Sequence, residues 1–371
     1  MAVLHLNSIT MLSPKQKRNI SRIIPFGIIW LVTGWVFLLA ETVATGNQNL
    51  NPDSAVSLTI PVFIFASLAV TSVGLLVGLI ELVILEKRFR HYSFKRKVGY
   101  KFLIYLLLML VIQALFFPIA SAIELNTSIL NQQIWKKTLQ FFQSIVFINT
   151  MFQISFHLAI SLLYAAISEN LGHQVMFNFF TGKYHKPRVE ERIFMFLDMK
   201  HSTAIAEKLG HINYFNFLQQ YYDVMTDPII NHLGEVYQYI GDEVVVSWKQ
   251  EQGLNKNHCI ECFKEIASSM NKTRNLFHQN FGISPEFKAG MHLGAVTTGE
   301  IGALKKEIVF SGDVLNTTAR IQALCNEHDA SLIISEELKD QLPQEITTRD
   351  LGAIKLKGKS QSTNIVAVEM G

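Results

Sequence analysis

Ile193-Phe-Met-Phe-Leu-Asp198-Met-Lys-His-Ser202-Thr203 reads as an apolar strand that runs directly into a turn and a helix start. Val236-Tyr-Gln-Tyr-Ile-Gly241-Asp242-Glu-Val-Val-Val-Ser-Trp248 repeats the device, with a Gly-Asp turn between two apolar runs. Each stretch delivers one carboxylate at a strand end, Asp198 in the first and Asp242 in the second. Brought together, two such carboxylates make an oxygen site suited to Mg²⁺ or Mn²⁺. That arrangement can hold a nucleoside triphosphate and support phosphoryl chemistry on it.

Working outward, strands and helices alternate from residue 190 onward. A strand is expected at 192–197, then a helical region at 201–232 interrupted near Gly210. A hairpin of 235–240 and 244–248 follows, with Gly241-Asp242 at its turn. A helix covers 255–280, strands 286–296 and 307–310 come next, and a helix spans 314–327. Strands at 331–335, 349–357 and 363–368 close the half. This order implies an α+β sandwich of a mostly antiparallel sheet with covering helices. Cys259 and Cys262 have the spacing of a metal or redox pair, but no second pair completes it, so they read as ordinary helix residues. Three cysteines without a disulfide framework fit a reducing cytosol.

The first half is different. The 371-residue chain is 49% apolar and only 17% charged, and the hydrophobicity is concentrated before residue 168. Apolar segments at 23–40, 56–85, 102–122 and 139–167 are each near or above the ~20 residues that a spanning helix needs. The first follows basic residues but has no small-residue cleavage site, so it reads as an uncleaved span. Lys15, Lys17, Arg18 and Arg22 precede it, and seven Lys or Arg fall in 86–101. The 41–55 loop has none, and the third loop has only Lys136 and Lys137. Both termini and the second half are therefore expected on the cytosolic side of the plasma (inner) membrane, with a multi-pass bundle in the lipid bilayer. A net charge of +3 makes no case for nucleic acid. The expected organisation is a cytosolic segment 1–22, a four-helix transmembrane domain 23–167, a linker 168–189 and a soluble domain 190–371. Glu81 is expected to snorkel to the cytosolic interface. Asn149, Gln153, His157 and Ser161 share one face of the fourth span. Interhelical hydrogen bonding explains that stripe, and a ligand, quinone or metal sensor site is the sharper alternative.

Four separated motifs in the second half resemble the class III nucleotidyl cyclase (adenylate/guanylate cyclase) domain. Phe-Leu-Asp198-Met-Lys-His-Ser-Thr looks like the first metal motif and Ile-Gly241-Asp242-Glu like the second. Gly312-Asp-Val-Leu-Asn316-Thr-Thr-Ala-Arg320 looks like the family's Asn-xxx-Arg helix. Leu356-Lys357-Gly-Lys359 looks like its lysine turn. Each alone is weak, whereas four in order are specific. The resemblance implies an α+β ferredoxin-like catalytic domain, beside the α-helical four-span membrane bundle, that turns ATP into 3′,5′-cyclic AMP and pyrophosphate. It implies two Mg²⁺ or Mn²⁺ per site on Asp198 and Asp242, with the backbone carbonyl of Met199 also touching a metal. Backbone amides at Ser202 and Thr203 would meet phosphate oxygens. Arg320 would stabilise the transition state, Asn316 would orient the ribose and Lys357 would pair with the terminal phosphates. A homodimer is implied, because in the family one chain supplies the aspartates and its partner the Asn, Arg and Lys.

The purine-reading positions depart from the pattern. They fall on Gln238 and Val309, where the family's adenylyl cyclases carry Lys with Asp or Thr, and its guanylyl cyclases Glu, often with Cys. Gln238 can donate and accept, and Val309 offers no side-chain hydrogen bond. The absence of the guanine-binding Glu favours ATP, with GTP as the alternative. Rival readings fit the residues less well. A diguanylate cyclase leaves Asn316, Arg320 and Lys357 unexplained. A receptor whose cyclase-like domain only dimerises or binds nucleotide would be marked by loss of a metal aspartate, Asn or Arg, and none is lost.

Overall fold

The computed structural model describes residues 12–46, 48–85, 88–89, 92, 94–354 and 362–369. The chain divides into two units, Gln16–Phe177 and a second made of Asn178–Gly371 with Met1–Lys15.

Four helices of the first unit are long and apolar enough to cross a membrane: α1 (Pro14–Thr45), α2 (Ile60–Leu79, continued by a π turn, Ile80–Leu85), α3 (Phe94–Glu124) and α5 (Ile145–Leu171). The expected fourth span, 139–167, divides in two. A short amphipathic helix α4 (Gln132–Phe142) ends at Gln143, and α5 starts afresh after Ser144. On α4 Lys137 is buried against Glu124 at 2.6 Å, so the charge counted in that loop is neutralised inside the unit.

Glu81 does not snorkel. It is 6% exposed and pairs with Lys101 and the Tyr105 hydroxyl of α3. The reason is that α3 begins at Phe94, eight residues before the expected span, and so carries Lys101 into the bundle. The polar stripe on α5 divides as well. The Trp30 indole donates to Ser161 Oγ at 2.8 Å, and His157 Nδ1 lies 2.8 Å from Thr33 Oγ1, so these two bond to α1.

The 168–189 segment, expected as a linker, contains regular structure. It holds the end of α5, helix α6 (His173–Phe180) and Tyr184, which is 3% exposed, donates to Glu190 and accepts from the Glu300 amide through its carbonyl.

In the second unit, β1 (Arg188–Met199) is central, paired antiparallel with β3 (Glu243–Lys249) and β4 (Phe287–Ile301). The sheet order is β2-β3-β1-β4-β6-β8-β7, with β2 (Glu235–Ile240), β6 (Leu332–Ser335), β7 (Thr348–Ile354) and β8 (Thr363–Val368), and with β5 (Glu307–Ser311) paired to the end of β4. Only the β4–β6 pair is parallel among the described strands. Period-two alternation sorts β1 between two layers. Ile193, Met195, Leu197 and Met199 face the large core with Phe217 of α7 (Ser202–Asn231), Phe263 of α9 (His258–Lys272) and Phe277 of α10 (Arg274–Phe281). Phe194 and Phe196 face Val314, Leu315 and Ala319 of α11 (Asp313–Ala323).

The expected 255–280 helix is broken. A short α8 (Gln250–Leu254) and a 3₁₀ turn precede α9, and Thr273 separates α9 from α10. A short α12 (Glu336–Gln341) follows β6 and was not expected. Cys259 and Cys262 are fully buried helix residues, and burial pushes the Cys259 thiol up to about 12.

Candidate active site

The alternation that sends Leu197 into the core turns Asp198 to the α11 side of the sheet. Pairing of Leu197 with Val244 then sets the β2–β3 turn beside the end of β1. Gly241 opens that two-residue turn at φ 64°, the conformation that primed hairpin turns require at this position. The Tyr222 hydroxyl donates to the Gly241 carbonyl and fixes the turn from α7. Asp242 follows, and the carboxyls of Asp198 and Asp242 face each other.

Their environment is strongly charged. Burial raises the pKa of Asp198, and the neighbouring Asp242 raises it further, against Lys288 and Gln322. Glu243 is pushed up to about 7 by burial and by the charges of Asp198 and Asp242. Asp242 Oδ2 is buried with no hydrogen-bond partner. A carboxylate oxygen in that position is costly unless a cation meets it.

Two residues that the sequence reading missed support Asp198. Gln322, 7% exposed, donates to its Oδ2 at 3.0 Å, and Lys288 Nζ lies 3.7 Å from the same oxygen. The available signal was a glutamine on the buried side of an amphipathic helix. Gln322 reaches the site because α11 lies very close to β4 at Gly290, where a Cβ would meet the Gln322 amide nitrogen at 2.4 Å.

After Met199 the chain turns through Lys200 and His201 (φ 58°) into α7, so Ser202 and Thr203 sit at the helix start four and five residues past Asp198. The Met199 side chain is 2% exposed in the core, which leaves only its backbone for the site. Gly210 has non-helical angles and interrupts α7 where expected.

The remaining candidates lie elsewhere. Asn316 and Arg320 are one turn apart on α11, and neither bonds to Asp198 or Asp242 among the described residues. Arg320 makes no ion pair among them. Lys357 falls outside the described residues. Gln238 is exposed on β2, just after a bulge at Tyr237. Tyr237 packs on Phe310 with ring centroids 4.7 Å apart, and its hydroxyl accepts from the Phe310 amide at 3.3 Å. These bonds hold β2, with Gln238, beside β5, with Val309.

A buried arginine underlies that pair. Arg192 is 1% exposed, donates to Glu235 at 2.6 Å and Ser247 at 2.9 Å, and lies under the Phe310 ring at 4.7 Å. An arginine at the head of the apolar run 193–197 of a central strand was the signal for it.

Comparison with known proteins bears on residues 184–368, which match the adenylate and guanylate cyclase catalytic domain. Adenylate cyclase 2 of Rhizobium meliloti is 31% identical over 207 residues, covering 55% of this chain and 57% of the relative. Adenylate cyclase 1 of the same organism is 25% identical over 179 residues, covering 47% of this chain and 27% of the relative. A receptor-type guanylate cyclase of Caenorhabditis elegans is 26% identical over 171 residues, 44% of this chain and 15% of the relative. The chain thus spans little more than half of the first relative's length, and less of the others. The structure of a bacterial light-regulated adenylyl cyclase superposes with TM-score 0.51 at 23% identity, over 58% of this chain and 63% of that one, a likeness of fold.

Proposed function

Through residues 184–368 this chain belongs to the adenylate and guanylate cyclase catalytic domain family, and from that premise we propose that it is a membrane-anchored adenylyl cyclase. It converts ATP to 3′,5′-cyclic AMP and pyrophosphate at sites shared by two copies of the chain. The observation that carries the reading is the meeting of Asp198 and Asp242 at the β1 end, with Asp242 Oδ2 buried and unpartnered.

The residues present fit two hard divalent cations, Mg²⁺ or Mn²⁺. The donors are all oxygen, the carboxyls repel one another, and substrate phosphates complete sites that use only one or two carboxylates. Asp198 and Asp242 would hold the cations, with the Met199 carbonyl as a further donor. When bound, these cations activate the ribose 3′-oxygen and offset the charge of the departing pyrophosphate. Gln322 and Lys288 keep Asp198 oriented. The first amides of α7, at Ser202 and Thr203, donate to phosphate oxygens. From the partner copy, Asn316 orients the ribose, Arg320 stabilises the charge developing on the α-phosphate, and Lys357 pairs with the terminal phosphates. Arg320, free of any ion pair among the described residues, supports that division between chains.

Two arguments favour ATP. The relatives at 31% and 25% identity are adenylate cyclases, and position 238 lacks the glutamate that accepts from guanine. Glutamine can meet either purine, so discrimination rests on few buried polar contacts. Gln238→Glu is expected to raise the GTP/ATP activity ratio about tenfold, one hydrogen bond's worth of discrimination. An unchanged ratio would remove Gln238 from purine recognition.

The four apolar helices and the Lys/Arg-rich 86–101 segment support a multi-pass anchor in the plasma membrane with both termini and the catalytic unit in the cytosol. The direct test of function is the full chain in detergent or nanodiscs with Mn²⁺ and either ATP or GTP, assayed for both cyclic products. Cyclic AMP should dominate, and Asp198→Ala or Asp242→Ala should reduce it by a factor of about 100 or more. Undiminished activity in either variant would refute the metal assignment.

A further inference from the structure

The membrane unit encloses a cavity of about 640 Å³ between α1, α2, α3 and α5, reaching outward to the 48–58 connection. That volume lies within the roughly 300–1,000 Å³ of small-molecule sites. Its walls are apolar and aromatic, with Trp30, Trp35, Phe65 and Phe116 among them. Polar residues, Glu41, Asn49 and Ser57 among them, line its outer end, and deeper between the helices lie Gln113, Asn149, Gln153 and His157. Gln113 on α3 is 4% exposed; its amide nitrogen donates to Met151 Sδ at 2.9 Å, and its Oε1 is buried with no partner. Gln153 and Asn149 line the same space and make no hydrogen bond among the described residues. His157 lines it too, tied to α1 through Thr33.

A glutamine carbonyl oxygen inside an apolar bundle is costly to leave without a donor, because the bilayer interior supplies no water to it. Among the described residues the cavity is lined by no Lys or Arg but by the carboxylate of Glu41, so an anionic headgroup entering it would be desolvated without a counter-charge. The occupant is therefore not an anion, and the part of it that reaches Gln113, away from Glu41 at the outer end, is uncharged, largely apolar and able to donate one hydrogen bond. We infer that this cavity is a binding site for a neutral, lipid-soluble amphiphile whose hydroxyl or amide N–H donates to Gln113 Oε1 while its hydrocarbon body lies against the Trp30, Trp35, Phe65 and Phe116 wall. This site is separate from the nucleotide chemistry and is tested without it.

The test uses the full chain in nanodiscs and a diazirine-bearing hexadecanol as probe, with crosslinks mapped by mass spectrometry. Crosslinks should concentrate on cavity residues of α1, α3 and α5 over the lipid-facing Leu39 and Leu107. Excess hexadecanol should compete them away and hexadecanoate should not. Gln113→Leu should weaken cavity labelling about tenfold, the factor that corresponds to ~1.4 kcal/mol, with labelling at Leu39 and Leu107 unchanged as a check on the bundle. Ala66→Phe fills the space from α2 with Gln113 left in place and should give the same loss. Labelling spread evenly over lipid-facing and cavity positions, equal competition by alcohol and carboxylate, or insensitivity to both substitutions would each show ordinary lipid contact and overturn the proposal.

Discussion

Asp242 at the β2–β3 turn shifts the titration of both Asp198 and Glu243, and that titration carries a sign that can be measured. Glu243 is raised to about 7 and Asp198 is raised above its ordinary value. Between the usual carboxylate range and about 7 the folded chain therefore binds more protons than the unfolded one. Stability of the metal-free protein accordingly falls as pH rises through that window. A divalent cation competes with the same protons, so its affinity rises over the same window and its binding releases protons. Mn²⁺ titration by calorimetry should show a Kd at least about tenfold lower near pH 8 than near pH 6, with proton uptake by the buffer, and Asp242→Ala should flatten the profile. A flat profile in the unaltered chain would contradict the geometry. The two aspartates were legible because strand, turn and carboxylate are all local signals. Gln322 and Lys288 were not, because neither is near Asp198 in the chain.

What brings Gln322 to Asp198 is the close contact of two elements, α11 and β4. Gly290 has no room for a side chain: a Cβ there would meet backbone and side-chain atoms of Gln322 at 2.4–2.8 Å. Backbone cannot yield as a side-chain tip can. Gly290→Ala should therefore lift α11 from the sheet, costing about 1–3 kcal/mol by overpacking and loosening the hydrogen bond to Asp198. Denaturant unfolding reads the first effect and the Mn²⁺ dependence of activity the second. Unchanged stability together with unchanged metal dependence would refute the packing argument. Element boundaries followed the same rule of legibility. The Gly210 interruption was visible in the sequence because glycine marks it. The break between α4 and α5 was not, because Phe141, Phe142 and Ile145 keep the apolar pattern running through it. Nor did hydropathy foresee that Lys101 enters the bundle to meet Glu81. That pairing depends on where α3 begins.

Across the whole molecule, the division into an apolar helical unit and an α+β unit was plain from composition and periodicity. The cavity around Gln113 was not, since it arises from how four helices fit and not from any one of them. Under the proposed function the arrangement of the catalytic residues is likewise a property of two chains. Asp198 and Asp242 lie together, whereas Asn316 and Arg320 bond to neither among the described residues. A site completed by a second copy predicts complementation. The decisive measurement is cyclic AMP formation from ATP and Mn²⁺ by co-expressed, co-purified Asp198→Ala and Arg320→Ala chains. Each variant alone should be inactive. Random pairing gives half heterodimers with one intact site of two, so the mixture should recover about a quarter of the unaltered activity. No recovery, with both variants folded and assembled, would contradict a shared two-chain site.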